Sequence, residues 1–401
     1  MKILVLNAGS SSLKYQLFDM ENGNVLAKGL CERIGTDGKI THKLSGAEPL
    51  CEDRDFPNHE TALSRIIELL TSETYGAIKS ISEIDAVGHR VAHGGEKFRK
   101  SSKITESVIK YLESIVEINP LHGPPAIAGM KACLSLMPET CQVAVFDTSF
   151  YSDIEDFRYI YAIPYELYEN DRIRRYGFHG TSHRYVSGEL AKLVGKDISE
   201  LKIVTCHLGN GSSITAVDCG KAIDTSMGFT PQEGIAMGTR SGTIDPTVVT
   251  YVMKKKGYTP EEMENILNKK SGLLGVSGIS NDCRNIWEAI DNGDKRAELS
   301  IKILTNGIKK YIGSYIAEMN GIDALVFTAG IGENDQRIRE AVCTDMEYLG
   351  IKLDKDKNNN FKRGVPVEIS ADDSRVKIFI IPTDEEYMIA KDTMQISKEQ
   401  E

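Results

Sequence analysis

The sequence has few features of membrane proteins or disulfide-stabilised proteins. It contains no apolar run near the ~18 residues that a membrane-spanning helix needs. A strand pattern begins at Lys2, with no signal peptide before it. No Cys-x-x-Cys pair or zinc-ligand spacing occurs, and the 8 cysteines are scattered, at Cys31, Cys51, Cys133, Cys141, Cys206, Cys219, Cys283 and Cys343. We therefore expect a cytoplasmic protein with reduced thiols and without a membrane partner.

Positively charged residues are outnumbered by negatively charged ones. The 401 residues include 48 Lys and Arg against 58 Asp and Glu, which gives a formal net charge of −10. This balance argues against nucleic acid or an anionic membrane as the main partner, although a local arginine cluster can still bind a small anion. With 41% hydrophobic and 26% charged residues, the chain is long enough for two globular domains that each have a core.

Short apolar, β-branched runs alternate with longer amphipathic stretches, which predicts an α/β fold. Six such runs end in polar or glycine-rich residues: Ile3–Leu6, Ala86–Val87, Val143–Phe146, Ile203–Cys206, Leu325–Thr328 and Ile378–Ile381. Because open α/β sheets bind ligands beyond the carboxyl ends of their strands, we expect the chemistry at these six ends.

A weak internal repeat accompanies the strands. The segment from Lys2 to Leu13 resembles the segment from Lys202 to Ile214, since each combines a strand, a Gly/Ser turn and a second strand. The repeat predicts two similar domains that face each other across a cleft, each with one phosphate-binding turn. Chance likeness of two β-hairpins is the alternative.

The turns of the two repeats have the composition of phosphate-binding loops. In Asn7–Lys14, one glycine and three serines offer backbone N–H groups and hydroxyls to phosphate oxygens, Lys14 adds a positive charge, and Asn7 is suited to hold a metal-bound water. In His207–Ser213, two glycines bracket an asparagine, which also predicts a type I′ hairpin turn. Neither segment has Walker A spacing, and an ordinary polar turn is the alternative for both.

Two arginines lie in glycine-rich segments. Arg90, in Gly88–Gly95, follows a strand and precedes a double glycine, which is a good position for bidentate binding of a carboxylate or phosphate. Arg240, in Gly238–Asp245, lies in a loop without apolar periodicity, and such an arginine can stabilise charge on a transferring phosphoryl group. The alternatives are a surface salt bridge for Arg90 and a solvated loop side chain for Arg240.

The segment Phe178–His183 contains two histidines four residues apart. A metal pair is disfavoured because Gly180 interrupts the spacing and no third ligand is near in the sequence. We expect Thr181 or Ser182 to cap a helix that starts there, which would leave His179 at the positive end of the helix and close to an anion.

Three further segments follow predicted strands or precede predicted helices. Gly330–Asn334 predicts a nucleotide-binding turn that opens a helix, and Asp282–Arg284 is a weaker candidate. Asp147 and Glu385 are carboxylates at strand ends, and Mg²⁺ in phosphoryl transfer is held by one or two carboxylates together with phosphates and waters. Helix capping by Asp384 is the competing use of the last segment.

Taken together, these motifs resemble the acetate kinase family. They occur in the family's order from Asn7 to Glu385, and the pair Asn-Ala-Gly-Ser-Ser-Ser-Leu-Lys and His-Arg-Val-Ala-His-Gly-Gly is specific. Since the family belongs with sugar kinases, heat-shock chaperone ATPases and actin, the resemblance implies two ribonuclease-H-like domains. Residues 1–150 with 385–401 would form the N-terminal domain, for the acyl substrate and phosphate. Residues 151–384 would form the C-terminal domain, for nucleotide binding and dimerisation.

The resemblance also implies roles for the matching residues. The catalytic residues would be Asp147, His179 and Arg240. The acyl substrate would be bound by Arg90, at its carboxylate, and by an apolar ring of Ala92, Leu121, Phe178 and Pro231. ATP or ADP would be bound by Lys14, His207, Leu208, Gly209, Asn210, Gly211, Asp282, Cys283, Arg284, Gly330, Ile331, Gly332, Glu333 and Asn334. Mg²⁺ or Mn²⁺ would be held by Asn7 and Glu385.

The implied reaction is reversible in-line phosphoryl transfer from ATP to acetate, giving acetyl phosphate and ADP, and the implied assembly is a homodimer. A carboxylic acid has a reference pKa of about 4.3, so the acceptor is already an anion at neutral pH and needs no general base. The family treats the residue at Asp147 as a proton donor or acceptor. We instead expect Asp147 to orient Arg90 or a metal-bound water.

Two kinds of alternative remain open. Ala92 stands where valine is familiar in the family, so the pocket is roomier, and propionate is the alternative acceptor. A sugar kinase of the same superfamily would need Asp147 as an essential base and would leave Arg90 without a role. A chaperone-like or filament-forming ATPase would need a peptide-binding domain or polymer contacts, for which 401 residues leave no room.

Overall fold

The computed structural model describes residues 1–399, and these divide into two compact units. The first unit comprises Met1–Ser152 together with the chain from Asp384 onward, and the second is Asp153–Thr383. The prediction from the sequence puts the two boundaries after residue 150 and before residue 385. Within residues 1–399, no helix has both the length and the apolar character that crossing a membrane requires.

The first unit begins with an eight-stranded sheet. Its strands are β1 (Lys2–Gly9), β2 (Ser12–Asp19), β3 (Asn24–Glu32), β4 (Lys39–Leu44), β5 (Leu50–Asp53), β6 (Ala86–Val91), β7 (Ser102–Lys103) and β8 (Cys141–Phe146). Its first helices are α1 (His59–Leu70), α2 (Glu106–Ser114) and α3 (Gly123–Leu136). The strand order is β5-β4-β3-β2-β1-β6-β8-β7, with β1, β6 and β8 parallel.

The second unit contains a six-stranded sheet, with strands β9 (Lys202–Leu208), β10 (Ser212–Asp218), β11 (Lys221–Thr225), β12 (Ala324–Thr328), β13 (Val367–Glu368) and β14 (Lys377–Ile380). Its helices are α4 (Asp156–Tyr159), α5 (Glu166–Asp171), α6 (Gly180–Val194), α7 (Pro246–Lys256), α8 (Pro260–Lys269), α9 (Gly272–Ser277), α10 (Cys283–Asp291), α11 (Lys295–Glu318), α12 (Ala329–Asn334), α13 (Gln336–Cys343) and α14 (Lys355–Asn359). The strand order is β11-β10-β9-β12-β14-β13, and β9, β12 and β14 run parallel. The chain then returns to the first unit as helix α15 (Glu385–Lys398).

Both sheets are built on the same pattern. In each, three antiparallel strands are followed by two parallel ones, as β3-β2-β1-β6-β8 in the first unit and β11-β10-β9-β12-β14 in the second. The predicted α/β fold with two ribonuclease-H-like units is confirmed, and all six predicted strands form. The internal repeat is therefore structural, since its two copies are the β1–β2 and β9–β10 hairpins.

Burial on both faces of the first sheet explains the continuous apolar run at its centre. Leu4 and Leu6 pack with Ile66 of α1 in one cluster, whereas Ile3 and the other alternate residues pack with Ile389 of α15 in another. Successive side chains of a strand point to opposite faces, so a central strand covered on both sides is apolar throughout. In the second unit, the long helix α11 covers the corresponding face.

Three local predictions are wrong. Helix α6 begins at Gly180 with His179 at its N-cap, so Thr181 and Ser182 lie in its first turn instead of capping it. The predicted turn Gly330–Asn334 is helical, because α12 starts directly after β12. The loop between β9 and β10 has three residues, and none of them has the positive φ that a type I′ turn requires.

Candidate active site

The carboxyl ends of β1, β6 and β8 meet at one edge of the first sheet. Leu6 of β1 lies opposite His89 of β6, so the next residues along, Asn7 and Arg90, lie beside each other. Asp147 follows β8 directly and opens a short 3₁₀ turn. Three of the predicted site residues are therefore brought to the same edge, as the rule for parallel sheets requires.

Strand alternation aims Arg90 at the start of α15. A β-carbon at Gly88 would lie 2.4 Å from the Thr393 Oγ1 atom of that helix, so only glycine allows the helix to come this close. Arg90 is two residues further along β6 and shares this face. The first residue of α15 is Glu385, and its side chain is turned towards Arg90.

Arg90 is bound by two carboxylates. Its Nη2 and Nε atoms donate to Asp147 Oδ2 at 2.8 and 3.2 Å, and Nε lies 3.4 Å from Glu385 Oε2. Asp147 is 2% exposed and Glu385 is 17% exposed. The negative charge of Asp147 raises the pKa of Arg90, and burial raises the pKa of Glu385, with Asp147 adding to the effect and Arg90 opposing it. The site thus holds more negative than positive charge.

The structure confirms the predicted helix cap in the segment before α15. Asp384 caps the helix, since its carboxylate accepts from the Tyr387 N–H group at 2.9 Å. The cap leaves Glu385 free for Arg90, and Glu386 forms an ion pair with Lys14 of β2. Lys14 is therefore held beside the β1–β2 hairpin by a carboxylate of the same helix turn that carries Glu385.

In the second unit, two predicted catalytic side chains converge on one glycine. A β-carbon at Gly211 would lie 3.3 Å from Arg240 Nη1 and 3.5 Å from His179 Nε2. The β9–β10 turn, Arg240 and His179 therefore surround one small space. His179 has a left-handed backbone, with φ of 59°, directly before α6. Since this conformation is uncommon for non-glycine residues, it is a further sign of a functional position.

A buried network of histidines and hydroxyls supports His179. Its Nδ1 atom is 2.9 Å from Ser213 Oγ, and its ring stacks on His207 with the ring centroids 4.2 Å apart. His183 contacts the same Ser213 hydroxyl at 2.7 Å and Thr205 Oγ1 at 2.6 Å. Burial, and next the proximity of His207, lower the pKa of His183 well below its usual value, so it stays neutral and acts as a hydrogen-bonding group.

Arg240 is half-buried and has no carboxylate partner among residues 1–399. Its Nη1 atom donates to the Pro231 carbonyl at 3.0 Å, and burial lowers its pKa. Arg339, the fully buried arginine of α13, differs because its guanidinium donates to Asn358 Oδ1, the Gly332 carbonyl and the Asn358 carbonyl. The three nitrogens of the Arg339 guanidinium thus all have fixed partners, whereas within the described residues the hydrogen bonds of Arg240 come from Nη1, to the Pro231 carbonyl and to Met237 Sδ at 3.8 Å. The solvated-loop alternative for Arg240 does not fit this burial.

A cavity of about 830 Å³ lies beyond the carboxyl ends of β9 and β12. Eight predicted nucleotide-binding residues line it: Gly209, Asn210, Asp282, Cys283, Arg284, Gly330, Ile331 and Asn334. Its volume falls in the range of ordinary cofactor sites. The turn after β9 touches the start of α10 here, since Asn281 Nδ2 donates to Asn210 Oδ1 at 3.0 Å.

The other predicted nucleotide-binding residues do not line this cavity. His207 and Leu208 belong to β9 and are buried, and Gly211 faces Arg240 and His179. Gly332 packs against the backbone of β9, 3.4 Å from the Cys206 carbonyl. Glu333 is used internally, since its Oε1 atom accepts from the backbone N–H groups of Ala329 and Thr383 at 2.8 and 3.1 Å. Lys14 belongs to the first unit.

The residues of the predicted acyl pocket come from both units. Ala92 is half-buried directly after β6, and Leu121 is 58% exposed just before α3. In the second unit, Phe178 is buried against Met227 and Met237, and the Pro231 carbonyl accepts the hydrogen bond from Arg240. The second-unit half of this set therefore clusters around Arg240.

Six residues that line the cavity were not predicted as nucleotide-binding: Asn281, Trp287, Asp335, Gln336, Arg337 and Arg363. They lie on or next to helices α10 and α13 or in the loop after α14, so no strand end marks them. Trp287 is the only tryptophan in the chain, and this rarity is the one signal in the sequence that could have drawn attention to it.

Comparisons with known proteins cover nearly the whole chain. Residues 2–391 match the Acetokinase family. Acetate kinases from Caldanaerobacter subterraneus subsp. tengcongensis and Thermoanaerobacter pseudethanolicus are 58% and 56% identical, each over 99% of this chain and 99% of the relative. The crystal structure of Porphyromonas gingivalis acetate kinase superposes with a TM-score of 0.95 at 48% identity, covering 98% of this chain and 99% of that one. A propionate kinase from Francisella tularensis gives a TM-score of 0.92 at 40% identity, with the same coverage.

Proposed function

The chain belongs to the acetokinase family, and from this premise we propose that it transfers the γ-phosphoryl group of ATP to acetate, giving acetyl phosphate and ADP. The reaction is reversible, because acetyl phosphate is an energy-rich acyl phosphate that can phosphorylate ADP. ATP and ADP occupy the cavity of the second unit, and the carboxylate of acetate is bound by Arg90 of the first unit.

The observation that carries this proposal is the half-buried guanidinium of Arg240, which has no carboxylate partner in the part of the chain that the structure describes. A buried cation without an anionic partner is unfavourable in the resting protein. It is useful when a doubly charged phosphoryl group must meet an anionic acceptor, because the barrier is then largely electrostatic. Arg240 and His179, which converge on Gly211, therefore stabilise the charge on the transferring group.

The acceptor acetate has to be positioned and does not need a general base. Acetate is ionised at neutral pH, so no proton has to be removed before attack. Arg90 Nη2 donates to Asp147 Oδ2 at 2.8 Å, and this hydrogen bond fixes the orientation in which the guanidinium binds the acceptor carboxylate. A sugar kinase would instead need a carboxylate that is free to deprotonate a hydroxyl, and Asp147 is committed to Arg90.

The residues around Arg90 fit a divalent cation. Asn7 and Glu385 would hold Mg²⁺, or Mn²⁺, through an amide oxygen and a carboxylate, which are the hard oxygen donors that these ions prefer. Asp147 and Glu385 share one arginine at this edge, and this excess of negative charge supports the assignment because a cation would relieve it. When bound, the ion neutralises phosphate charge and orients the oxygens of the nucleotide.

Propionate is the second candidate acceptor. Ala92 is small and half-buried, and the similar structure from Francisella tularensis is described as a propionate kinase. One methylene changes discrimination in an apolar pocket by only about 1–3 kcal/mol, so both acids can be turned over. We also propose a cytoplasmic homodimer, as the family resemblance implies, and light scattering of the purified protein would test the dimer.

Trapping of the acyl phosphate tests the proposed function. The protein is incubated with ATP, Mg²⁺ and hydroxylamine together with acetate, propionate, butyrate or glucose, and acyl hydroxamate and ADP are measured separately. We expect hydroxamate with acetate, a comparable or smaller amount with propionate, and none with Arg240→Ala. Production of ADP with glucose but without hydroxamate would support a sugar kinase, and ADP without any acceptor would support a simple ATPase.

A further inference from the structure

Arg337 and Trp287 form a layered pair at the wall of the nucleotide cavity. The Arg337 Cζ atom lies 3.9 Å from the centroid of the Trp287 ring, which is the separation of a close cation–π contact. The guanidinium also binds Asp291 bidentately, with Nη1 and Nη2 at 3.0 and 2.9 Å from the two carboxylate oxygens. Arg337 is 40% exposed and lines the cavity.

The pair is held in place from both sides. Trp287 packs against the core of the second unit, and its Nε1 atom donates to Asp335 Oδ2 at 2.8 Å. Trp287 and Asp291 are four residues apart on α10, so both side chains lie on one face of the helix, and both contact Arg337 of α13. The guanidinium therefore cannot turn freely.

The pair also lies at the correct end of the cavity for a nucleobase. Asn281, just before α10, touches the β9–β10 turn through Asn210, and the neighbouring Gly211 faces Arg240. That end therefore receives the phosphates. Trp287 is four residues beyond the first residue of α10, which places it about 6 Å further along the helix axis. The cavity thus extends from the phosphate end towards the indole and the guanidinium.

We propose that the Trp287-supported guanidinium of Arg337 is the platform on which the nucleobase stacks, and that it makes the protein selective for purine over pyrimidine nucleotides. This inference rests on the proposed function, because it names the class of nucleotide that the same site accepts. A planar guanidinium stacks on aromatic faces, which a lysine ammonium cannot do in the same way. The larger two-ring surface of a purine gains more from stacking than a single pyrimidine ring.

Fluorescence of the only tryptophan supplies a test that needs no turnover. The full-length protein is titrated with ADP, GDP, CDP and UDP in the presence of Mg²⁺ and without acetate, with isothermal calorimetry as a second measure of Kd. We expect ADP and GDP to bind more tightly than CDP and UDP, and to change the emission of Trp287. Arg337→Ala should raise the Kd of ADP about tenfold and that of CDP by less than about threefold, since stacking is worth roughly 1–3 kcal/mol per base.

Two matched variants separate stacking from charge. Arg337→Lys keeps the charge but loses the planar group, and we expect it to behave like Arg337→Ala. Arg363→Ala removes a positive charge from the same cavity wall. Any rise in Kd should be by the same factor for ADP and CDP. Competition by inorganic tripolyphosphate should be unchanged in Arg337→Ala, because the phosphates bind elsewhere.

Several results would overturn the inference. If Arg337→Ala weakens the binding of ADP and CDP by the same factor, or if Arg337→Lys binds ADP as tightly as the wild type, then Arg337 binds phosphate through its charge. If the wild-type protein binds CDP as tightly as ADP, the inference is contradicted without any variant. The inference therefore remains testable even if a variant misfolds. These titrations do not involve acetate. Formation of acyl phosphate without purine selectivity would remove this inference alone, whereas purine selectivity without acyl phosphate would remove the proposed reaction alone.

Discussion

Each unit has one half-buried arginine near the carboxyl edge of its sheet that we assign to the reaction, but the surroundings of the two side chains are opposite. Arg90, in the first unit, is bound by Asp147 and lies beside Glu385. Arg240, in the second unit, donates to a backbone carbonyl and has no carboxylate partner within residues 1–399. The two sheets share one strand order, so the fold itself does not cause the difference.

The difference indicates that the two arginines have different roles in the reaction. A guanidinium that is already fixed by carboxylates is pre-oriented and can hold a substrate with little further loss of side-chain entropy. A buried guanidinium without a counter-ion gains most when negative charge arrives, and so contributes to the transition state more than to the resting state. We therefore expect changes in the first unit to affect positioning, cation binding and acceptor choice, and changes at Arg240 to affect turnover.

The largest effect is expected from Arg240→Ala. An arginine that stabilises a transferring phosphoryl group is worth about 10³ or more in rate, so kcat should fall by at least that factor. The KM for acetate and the Kd for ADP should change much less. Steady-state kinetics, combined with calorimetric titration of ADP, measure both quantities.

Stability supplies the control for Arg240→Ala. Since a partly buried cation without a carboxylate partner does not stabilise the resting protein, the free energy of unfolding in urea should be unchanged or higher in the variant. A variant that loses activity and stability together would mean that Arg240 supports the fold, and the contrast with Arg90 would then disappear.

The next largest effect is expected from Asp147→Asn. The amide keeps the shape but removes the charge that holds Arg90, and a small misplacement of a substrate-binding group can lower the rate by about 10². We expect kcat/KM for acetate to fall by about that factor and the Mg²⁺ concentration for half-maximal activity to rise, with an unchanged pH profile. Glu386→Gln, which alters the carboxylate beside Lys14 in the same helix turn, should have a much smaller effect. Unchanged Mg²⁺ dependence with a shifted pH profile would instead favour proton transfer by Asp147.

The crowded carboxylates of the first unit should also make stability depend on pH. Burial raises the pKa of Glu385 to about 7 in the folded protein, above its value of about 4.3 in an unfolded chain. The folded state therefore binds this proton more tightly, and the resulting stabilisation is complete below about pH 4, declines between pH 4 and 7, and is absent above about pH 7.

Urea denaturation without divalent cations measures the pH-dependent stabilisation that comes from Glu385. The free energy of unfolding of the wild type, relative to Glu385→Gln, should fall by about 1–3 kcal/mol as the pH rises from 5 to 8. Glu385→Gln is the matched comparison because it retains the hydrogen-bonding shape without titrating. A constant difference over this range would show that the pKa of Glu385 is not raised in the folded protein.

The sequence predicted the parts of the site that follow strands. Asn7, Arg90 and Asp147 were predicted because parallel strands end at one edge, and the positions of strands follow from apolar runs. The helical pair Trp287 and Arg337 was not predicted, since contact between two helices depends on tertiary packing that no local spacing encodes. The segment after β12 was predicted as a turn, although it is helical, because glycines in a sequence do not distinguish a loop from a helix that packs tightly against a strand.

The hydrogen-bond partners of the arginines in the second unit could not be predicted from the sequence either. Arg339 donates to Asn358 Oδ1 and to the carbonyls of Gly332 and Asn358, whereas Arg240 donates to the Pro231 carbonyl. The number of fixed partners of a buried side chain depends on residues distant in sequence. The sequence indicates Arg240 as a candidate for chemistry, and the structure adds that Arg339 is held by partners within its own unit.

The smallest effect is expected from Ala92→Val, which tests whether the first unit selects the acceptor. Ala92 is half-buried directly after the strand that carries Arg90, so its side chain is suited to limit the length of the acyl group bound there. Valine should lower kcat/KM for propionate relative to acetate by about tenfold, within the range of about 1–3 kcal/mol that one methylene is worth in an apolar pocket. The hydroxylamine assay with both acids measures this ratio directly.

Arg337→Ala is the matched control in the second unit, since it should alter the choice of nucleotide and leave the propionate-to-acetate ratio unchanged. An equal loss for both acids in Ala92→Val would mean that the added methyl groups disturb Arg90 itself instead of the acyl chain. An unchanged ratio would remove Ala92 from the acyl pocket. Because the two variants change different substrates, a double variant should show independent effects on acid and nucleotide preference, and a strong coupling between them would contradict the assignment of one substrate to each unit.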